Sequence, residues 1–425
     1  MLVGPGRDVT RNLIGVRTLL IGTGGREHAL ALALAADPSV TELICAPGNP
    51  GMAEVARCVP VDITDNDAIA ALAVESGADL VVIGPEAPLV AGAADAVRAK
   101  GIAVFGPSRA AAALEGSKEF AKRVMSDAGV PTARAHACST PEEAAAALDE
   151  FGPPYVVKDD GLAAGKGVVV TSSREEALAH AAACERVVIE EFLDGPEVSL
   201  FVVTDGTTAV PLLPAQDFKR VGDDDEGPNT GGMGAYTPLP WAGDDLVGTI
   251  MRTVAEPTLA EMAARGNPFV GVLYCGLALT ADGPRVIEFN CRFGDPEIQA
   301  VLSLLETPLG SLLWAAARGE LAAVPALKWR EGNAVTVVIA SENYPGTPVT
   351  GRVITGADGV PGVLHAGTAR DESGALVSAG GRVLCCTAAG ADLAAARSAA
   401  YGLVGGVGLE GSRYRTDIAL KASLG

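Results

Sequence analysis

Short apolar runs at 18–21, 43–46, 80–83 and 102–105 alternate with Ala-rich stretches of helical character. This is a βαβ rhythm, and it predicts a mainly parallel sheet with helices on both faces. Near Pro107 the pattern changes, and Ser117 followed by Glu119 and an apolar-periodic stretch marks a new helix start. From 155 to 205 come short strands broken by Gly-rich turns, and from 211 to 305 longer strands and helices with a Gly/Asn-rich loop between them. These stretches are expected to form the two lobes of one nucleotide-clasping unit. Beyond Lys328 strand-like runs return at 334–340 and 382–387 with one Ala-rich helix, which predicts a third, smaller α/β domain. The expected organisation is an extension at 1–17, a domain at 18–106, a bilobed unit at 107–328 with its small lobe at 130–205, and a C-terminal domain at 329–425. A length of 425 residues agrees, since about 150 residues per domain gives roughly three.

Composition narrows the class. Hydrophobic residues make up 48% and charged residues 20%, which is enough apolar surface to fold and too little charge for disorder. Mean hydropathy is positive, at +0.29, but it comes from Ala and Val spread along the chain, and no uninterrupted apolar run is long enough to span a bilayer. A net charge of -20 repels phosphate backbones and leaves no basic stripe, so nucleic acid is an unfavoured partner. An acidic protein that handles anionic small molecules must gather its few cations locally, so each Lys and Arg is informative. Eight cysteines without metal spacing, four scattered histidines and no secretory h-region in the first seventeen residues lead to an expected cytoplasmic location. Cys385 and Cys386 lie in an apolar strand-like run and are expected to be thiols buried on opposite faces.

The first candidate constellation is Leu19-Leu20-Ile21-Gly22-Thr23-Gly24-Gly25-Arg26-Glu27-His28, where a strand meets a helix through a glycine-rich turn. Backbone amides at such a helix start form an anion site, and Arg26 at its mouth could chelate what they hold. As a surface side chain Arg26 is expected to add little to stability. The spacing is not that of a dinucleotide fingerprint, and no acidic residue is clearly placed for a ribose hydroxyl, which speaks against NAD. A tight turn without a ligand stays open. The second is the stretch from Tyr155 to Gly167, in which Lys158 ends a strand and Gly165-Lys166-Gly167 precedes another. It is not a Walker loop, because its flanks are strands, and it suits a β-hairpin flap over a triphosphate or a merely mobile hairpin. Further on, 187–193 offers a strand whose backbone could read an adenine edge, with Glu197 suited to a ribose. Alone, Glu190-Glu191 after an apolar strand is usually a solvated end.

The third constellation is Arg285-Val286-Ile287-Glu288-Phe289-Asn290-Cys291-Arg292-Phe293-Gly294-Asp295-Pro296-Glu297. With a period of two, Glu288, Asn290 and Arg292 project from one face while Ile287 and Phe289 pack behind. Hard oxygens from Glu288 and Asn290 suit Mg2+, and Arg292 beside them suits a carboxylate or an acyl phosphate. A fourth, Gln216-Asp217-Phe218-Lys219-Arg220 leading to Gly227-Pro228-Asn229-Thr230-Gly231-Gly232, joins a basic pair to exposed amides, as anion capture requires, or is an ordinary surface loop.

Taken in order, the glycine turn, Ala46-Pro47-Gly48-Asn49, Gly84-Pro85-Glu86-Ala87-Pro88-Leu89, Leu114-Glu115-Gly116-Ser117-Lys118, the Lys158 to Gly167 stretch, the Lys219 loop, the Glu288 to Glu297 run, His365-Ala366-Gly367-Thr368 and Gly380-Gly381-Arg382 resemble the phosphoribosylamine-glycine ligase family of ATP-grasp enzymes. The resemblance implies an N-terminal Rossmann-like domain, a bilobed ATP-grasp and a C-terminal α/β domain. It implies ATP phosphates at Lys118 and Lys158 under a flap of Gly165, Lys166 and Gly167, with adenine and ribose held at Glu190, Glu191, Leu193 and Glu197. It implies Mg2+ or Mn2+ on Glu288 and Asn290, and the sugar phosphate near Gly24, Gly25, Arg26, Asn49 and Glu86. Asn229, Gly231, Gly232, Arg292, Gly294 and Asp295 would complete the substrate site, with Lys158, Arg292 and Asp295 nearest the chemistry. Asp159 stands where the family pattern has Ala, Phe218 where it has His, and 171–186 looks about ten residues short.

The implied reaction is ligation of glycine to 5-phosphoribosylamine in purine synthesis, with ATP cleaved to ADP. A carboxylate does not acylate an amine unactivated, so glycyl phosphate is the expected intermediate, without a nucleophilic side chain. The expected partners are these small molecules, with room for transient contact with neighbouring purine-pathway enzymes. Another ATP-grasp ligase, the ATPase of a purine carboxylase, and a nucleotide sensor with a degenerate site are the rivals. Presence of Lys118, Lys158, Glu288, Asn290 and Arg292 together disfavours the sensor.

Overall fold

The computed structural model describes residues 15–162 and 167–424, and its architecture is α/β. Five parallel strands form the first sheet, in the order Arg57–Cys58, Val40–Pro47, Val16–Gly22, Leu80–Ile83, Ala103–Phe105. Leu19, Ile21, Val81 and Ile83 enter one core and Leu20, Val82 and Phe105 another, so both faces are covered as the βαβ rhythm requires. Growth of the sheet reverses between Val16–Gly22 and Leu80–Ile83. In such sheets the crevice at the C-terminal ends of the strands, at the switch point, is where ligands bind. The glycine turn at 22–25 and the segment 84–86 both leave the sheet there.

Two antiparallel sheets follow. Ala135–Cys138, Val187–Glu190, Tyr155–Asp159 and Val168–Thr171 make the smaller one. Helices Pro141–Phe151 and Arg174–Ala183 back it over a core of Leu148, Val157 and Ile189. The stretch 171–186 thus holds a complete helix, capped by Ser173. Ala209–Pro211, Glu197–Asp205, Val270–Thr280 and Gly283–Asn290 make the larger sheet. Leu200 and Val202 share a core with the N-terminal sheet on one side, while Phe201 and Val203 do so on the other.

The last large sheet runs Gln216–Asp217, Gly234–Thr237, Asn333–Ala340, Arg382–Gly390, Val363–His365, antiparallel throughout. It takes two strands from mid-chain, so the loop at 218–233 starts and ends on the same sheet as Arg382. Cys385 and Cys386 point to opposite faces, one into the core shared with the N-terminal sheet and the other under helix Leu393–Gly406. All eight cysteines are free. Among the described residues no helix is long and apolar enough to cross a membrane.

Candidate active site

The glycine turn closes around a buried carboxylate. Glu27 accepts the Gly24 N–H at 2.7 Å and the Arg26 Nε–H at 2.5 Å. A side chain at Gly84, or at Gly22, which has φ +133°, would collide with Glu27. Those glycines therefore make room for the carboxylate as well as for the turn. Arg26 also donates from Nη1 to the Phe293 carbonyl at 3.0 Å and is only 7% exposed. The expectation of a surface arginine is thus corrected: Arg26 is an internal strut between the turn and the loop at 291–296. Gly25 lies against Cys385, Gln299 and Ala366. Asn49 spends both amide hydrogens on the Thr23 and His365 carbonyls, at 2.8 and 2.9 Å, while its oxygen accepts from the Met52 N–H.

Strand Gly283–Asn290 departs from strict alternation. Its register against Val270–Thr280 shifts so that Gly276 faces Glu288 and Leu277 faces Val286, leaving Ile287 as the extra residue of a bulge. Val286 and Phe289, not Ile287 and Phe289, therefore fill the core behind. The bulge turns the Ile287 carbonyl toward Lys158, whose Nζ donates to it at 2.8 Å. Burial opposes ionisation of Glu288, but Lys219, Lys158, Arg292 and Lys118 outweigh it and hold the carboxyl below its ordinary range. Asn290 Oδ1 accepts from Arg292 Nη2 at 3.3 Å. The expected trio thus shares one place, although the strand ends before Arg292.

Arg292 is the hub of the site. Its Nη2 lies 3.1 Å from Glu115, its Nε lies 3.4 Å from Glu86, and Glu86 in turn lies 3.9 Å from Arg26. Contacts therefore run unbroken from the Glu288–Asn290 pair to the glycine turn. Burial pushes the Glu115 carboxyl up although Arg292 pulls it down, while for Glu86 the two arginines overcome burial and lower it. The Arg292 Nε–H is buried without a hydrogen-bond partner among the described residues. Buried donors are rarely left so, and an acid group of a ligand would satisfy it. Asp295 accepts from Gln299 Nε2 at 2.7 Å and lies 3.4 Å from Arg382 Nη2. A side chain at Gly294 would meet the Glu297 carboxylate, and one at Gly232, with φ +110°, would meet Pro296. Gly231 and Gly232 thus join this group, whereas Asn229 pairs in a bridge with Arg220.

The residues expected at the nucleotide cluster next to it. Buried Lys158 lies 2.9 Å from Glu190, and Lys122 lies 3.2 Å from the same carboxylate. Lys118 donates to the Gly161 carbonyl at 2.8 Å, and burial lowers its pKa. Gly167 is buried and its carbonyl accepts the Asp159 N–H at 2.8 Å; Gly165 and Lys166 lie outside the described residues. Glu191 turns to Arg134 at 2.8 Å, Leu193 is half-buried, and Glu197 pairs with Lys219. Sequence reasoning gave no role to Glu27, Lys122, Gln299 or Tyr344, and named Glu115 and Arg382 only within motifs. Nothing local marks a helix-end Glu115 as buried, and Lys122 could have been suspected from scarce cations alone. One mixed group, Glu54, Asp358 and His365, has ligand-type atoms within 4.8 Å of one another. There Arg370 already holds Asp358 through both oxygens, and Glu54 accepts the Gly359 N–H.

Comparison with known proteins gives three consecutive family matches: the phosphoribosylglycinamide synthetase N domain over 16–115, its ATP-grasp (A) domain over 116–298 and its C domain over 334–421. The chain is 63% identical over 415 residues to the phosphoribosylamine–glycine ligase of Streptomyces coelicolor, covering 96% of this chain and 100% of the relative. Identity to the Mycobacterium tuberculosis enzyme of the same name is 59% over 419 residues, covering 96% and 99%. The crystal structure of phosphoribosylamine–glycine ligase from Thermotoga maritima superposes with a TM-score of 0.83 at 35% identity, over 95% of this chain and 100% of that one. A Campylobacter jejuni biotin carboxylase, 16% identical with a TM-score of 0.71 over 94% and 93% of the chains, shares the fold. The domain order, the hub at Arg292 and these matches agree: the chain belongs to the phosphoribosylglycinamide synthetase family.

Proposed function

We propose that the chain joins glycine to 5-phosphoribosylamine with cleavage of ATP to ADP and phosphate, and that it does so through glycyl phosphate in the pocket centred on Arg292. The observation that carries this is the placing of Arg292 between the Glu288–Asn290 pair and the glycine turn, with its Nε–H facing Glu86 but hydrogen-bonded to no described residue. Lys118 and Lys158 face the triphosphate. Glu190, Glu191, Leu193 and Glu197 lie along the adenine and ribose. Lys158 exchanges its bond to Glu190 for a phosphate oxygen when nucleotide arrives. The glycine carboxylate, held by Arg292, attacks the γ-phosphorus and ADP leaves. The amine of phosphoribosylamine then attacks the acyl carbon and phosphate departs.

Both steps build charge on oxygen, which fixed cations stabilise without a covalent enzyme intermediate. The sugar phosphate lies at the crevice of Gly24, Gly25 and Glu86, while Asn49 shapes that crevice through its carbonyl bonds. Glu288 and Asn290 fit Mg2+ or Mn2+: both offer hard oxygen, and Glu288 is held ionised by its neighbours. Such an ion, when bound, neutralises phosphate charge. The surrounding lysines are compatible with it because the triphosphate brings the balancing negative charge.

ADP release tests the assignment. It should require glycine and phosphoribosylamine together, and equal release with bicarbonate or formate in place of glycine would move the chain to a sibling ligase. Glu288→Gln should lower kcat about a hundred- to a thousandfold at millimolar Mg2+ and leave the melt unchanged. Near-normal turnover in that variant would place the metal elsewhere.

A further inference from the structure

The C-terminal domain meets the pocket with more than packing. Arg382 opens strand Arg382–Gly390, and its Nη1 donates to the Gly231 carbonyl at 2.7 Å, to the Asp295 carbonyl at 2.5 Å and, at 3.4 Å, to the Gly232 carbonyl. Its Nη2 faces the Asp295 carboxylate. Tyr344 takes the opposite end of the same residue, its hydroxyl oxygen accepting the Gly231 N–H at 3.0 Å. Gly231 is thus gripped at both its N–H and its carbonyl by side chains of a domain that reaches the loop from outside. A side chain at Gly231 would lie 3.0 Å from the guanidinium carbon, so the cation rests flat on the bare backbone. On the N-terminal side, the His365 backbone of the same domain accepts from Asn49 and donates to His28.

Resting on the pocket assigned above, we propose that Arg382, assisted by Tyr344, is a positioning residue for glycine and phosphoribosylamine and not for ATP. It fixes the spacing between the 231–232 loop and the Asp295 loop. The reason is electrostatic. Carbonyls of Gly231, Gly232 and Asp295 converge with a carboxylate on one cation, and without it these acceptors face one another and the two loops separate. Lysine cannot replace the fork, because an ammonium is a compact point and a guanidinium presents planar, fixed donors. Lys118 and Lys158, by contrast, are held by Gly161, Glu190 and Ile287, which Arg382 does not touch.

The test compares Arg382→Lys, Arg382→Met and Tyr344→Phe in the full chain, with Arg292→Lys in parallel. Arg382→Lys should raise the KM for both glycine and phosphoribosylamine about tenfold while the KM for ATP stays within about twofold. Tyr344→Phe should move the same two constants in the same direction by less, and it keeps the test alive should Arg382→Met fail to fold. Two results overturn the proposal while leaving the pocket in place: normal constants for Arg382→Lys beside an impaired Arg292→Lys, or a lowered melt with all three KM values raised together. Normal substrate constants in Arg292→Lys would overturn the pocket itself and this proposal with it.

Discussion

Arg26 and Arg292 stand on two sides of one carboxylate, Glu86, and both donate to the Phe293 carbonyl, yet they are held differently. Arg26 turns inward. Its Nε goes to Glu27 and its Nη1 to Phe293, binding the turn of the N-terminal sheet to the loop of the ATP-grasp unit. Arg292 also has partners, Glu115 and Asn290 among them, but its buried Nε–H faces Glu86 at 3.4 Å without a hydrogen bond to any described residue. An arginine whose named bonds run into the protein shapes a loop, while one whose buried donor makes no hydrogen bond fits the proposed ligand role. On the proposed function, the Arg26 side chain of the conspicuous glycine-rich turn therefore belongs to the frame, and the less conspicuous Asn-Cys-Arg to the contact.

Substituting the contact should have the largest effect. Arg292→Met removes the donor proposed to hold the acid group and should lower kcat/KM for glycine and phosphoribosylamine about a hundredfold, roughly 3 kcal/mol of transition-state stabilisation. The KM for ATP should move little. Steady-state kinetics with one substrate varied at a time separates these constants, and an equal rise for all three would erase the distinction between the arginines.

Arg26→Ala tests the frame. It leaves the Glu27 carboxylate buried with only the Gly24 N–H among its named partners and strips a donor from Phe293, so unfolding stability should fall by about 2 kcal/mol. The phosphoribosylamine KM should rise with it, because the turn shifts. Urea unfolding monitored by circular dichroism measures the first quantity. A loss below about 0.5 kcal/mol would return Arg26 to the surface role that its sequence suggested.

Much of the frame was legible because it is local. Runs at 43–46 and 80–83 become strands Val40–Pro47 and Leu80–Ile83, and Ser117 caps helix Lys118–Ala128 as the motif implied. Glu288, Asn290 and Arg292 were legible as one group because they are close in sequence: Glu288 and Asn290 alternate on the strand beyond the bulge, and Arg292, past the strand end, reaches back to Asn290. Ile287 was misplaced because a bulge depends on the partner strand, and Gly276 gives no sign of the shift in its own sequence. Burial of Arg26, Glu27 and Glu115 was hidden for a related reason. Each is enclosed by residues distant in sequence, Phe293 for Arg26, Gly84 for Glu27 and Cys291 with Arg292 for Glu115, and a charged residue in a glycine-rich motif looks the same exposed or enclosed. Arg382 was the hardest to see: its partners are backbone carbonyls, which any residue supplies.

The smallest expected effect concerns the second fastening of the glycine turn. His28 follows Arg26 on helix Gly25–Ala35 and accepts the His365 N–H on Nδ1 at 2.8 Å. Burial, with His365 adding to it, pulls its pKa from 6.5 down to about 4, so the folded protein keeps this ring neutral at a pH where the unfolded chain takes up a proton. Stability from this contact is complete above the unfolded value and is lost as pH falls through the window from 6.5 toward 4. Between about pH 7.5 and 5.5 the loss should be about 1 kcal/mol. His365 is itself lowered by burial and loses stability in the same direction, with Glu54 and Asp358 opposing its shift and Arg370 adding to it. His28→Gln, which keeps an acceptor for the His365 N–H, should therefore remove part of the acid slope and not all of it. Urea melts of both proteins at the two pH values give the difference directly. Equal slopes would mean that the His28–His365 contact opens before global unfolding, leaving the turn fastened by Arg26 and Asn49.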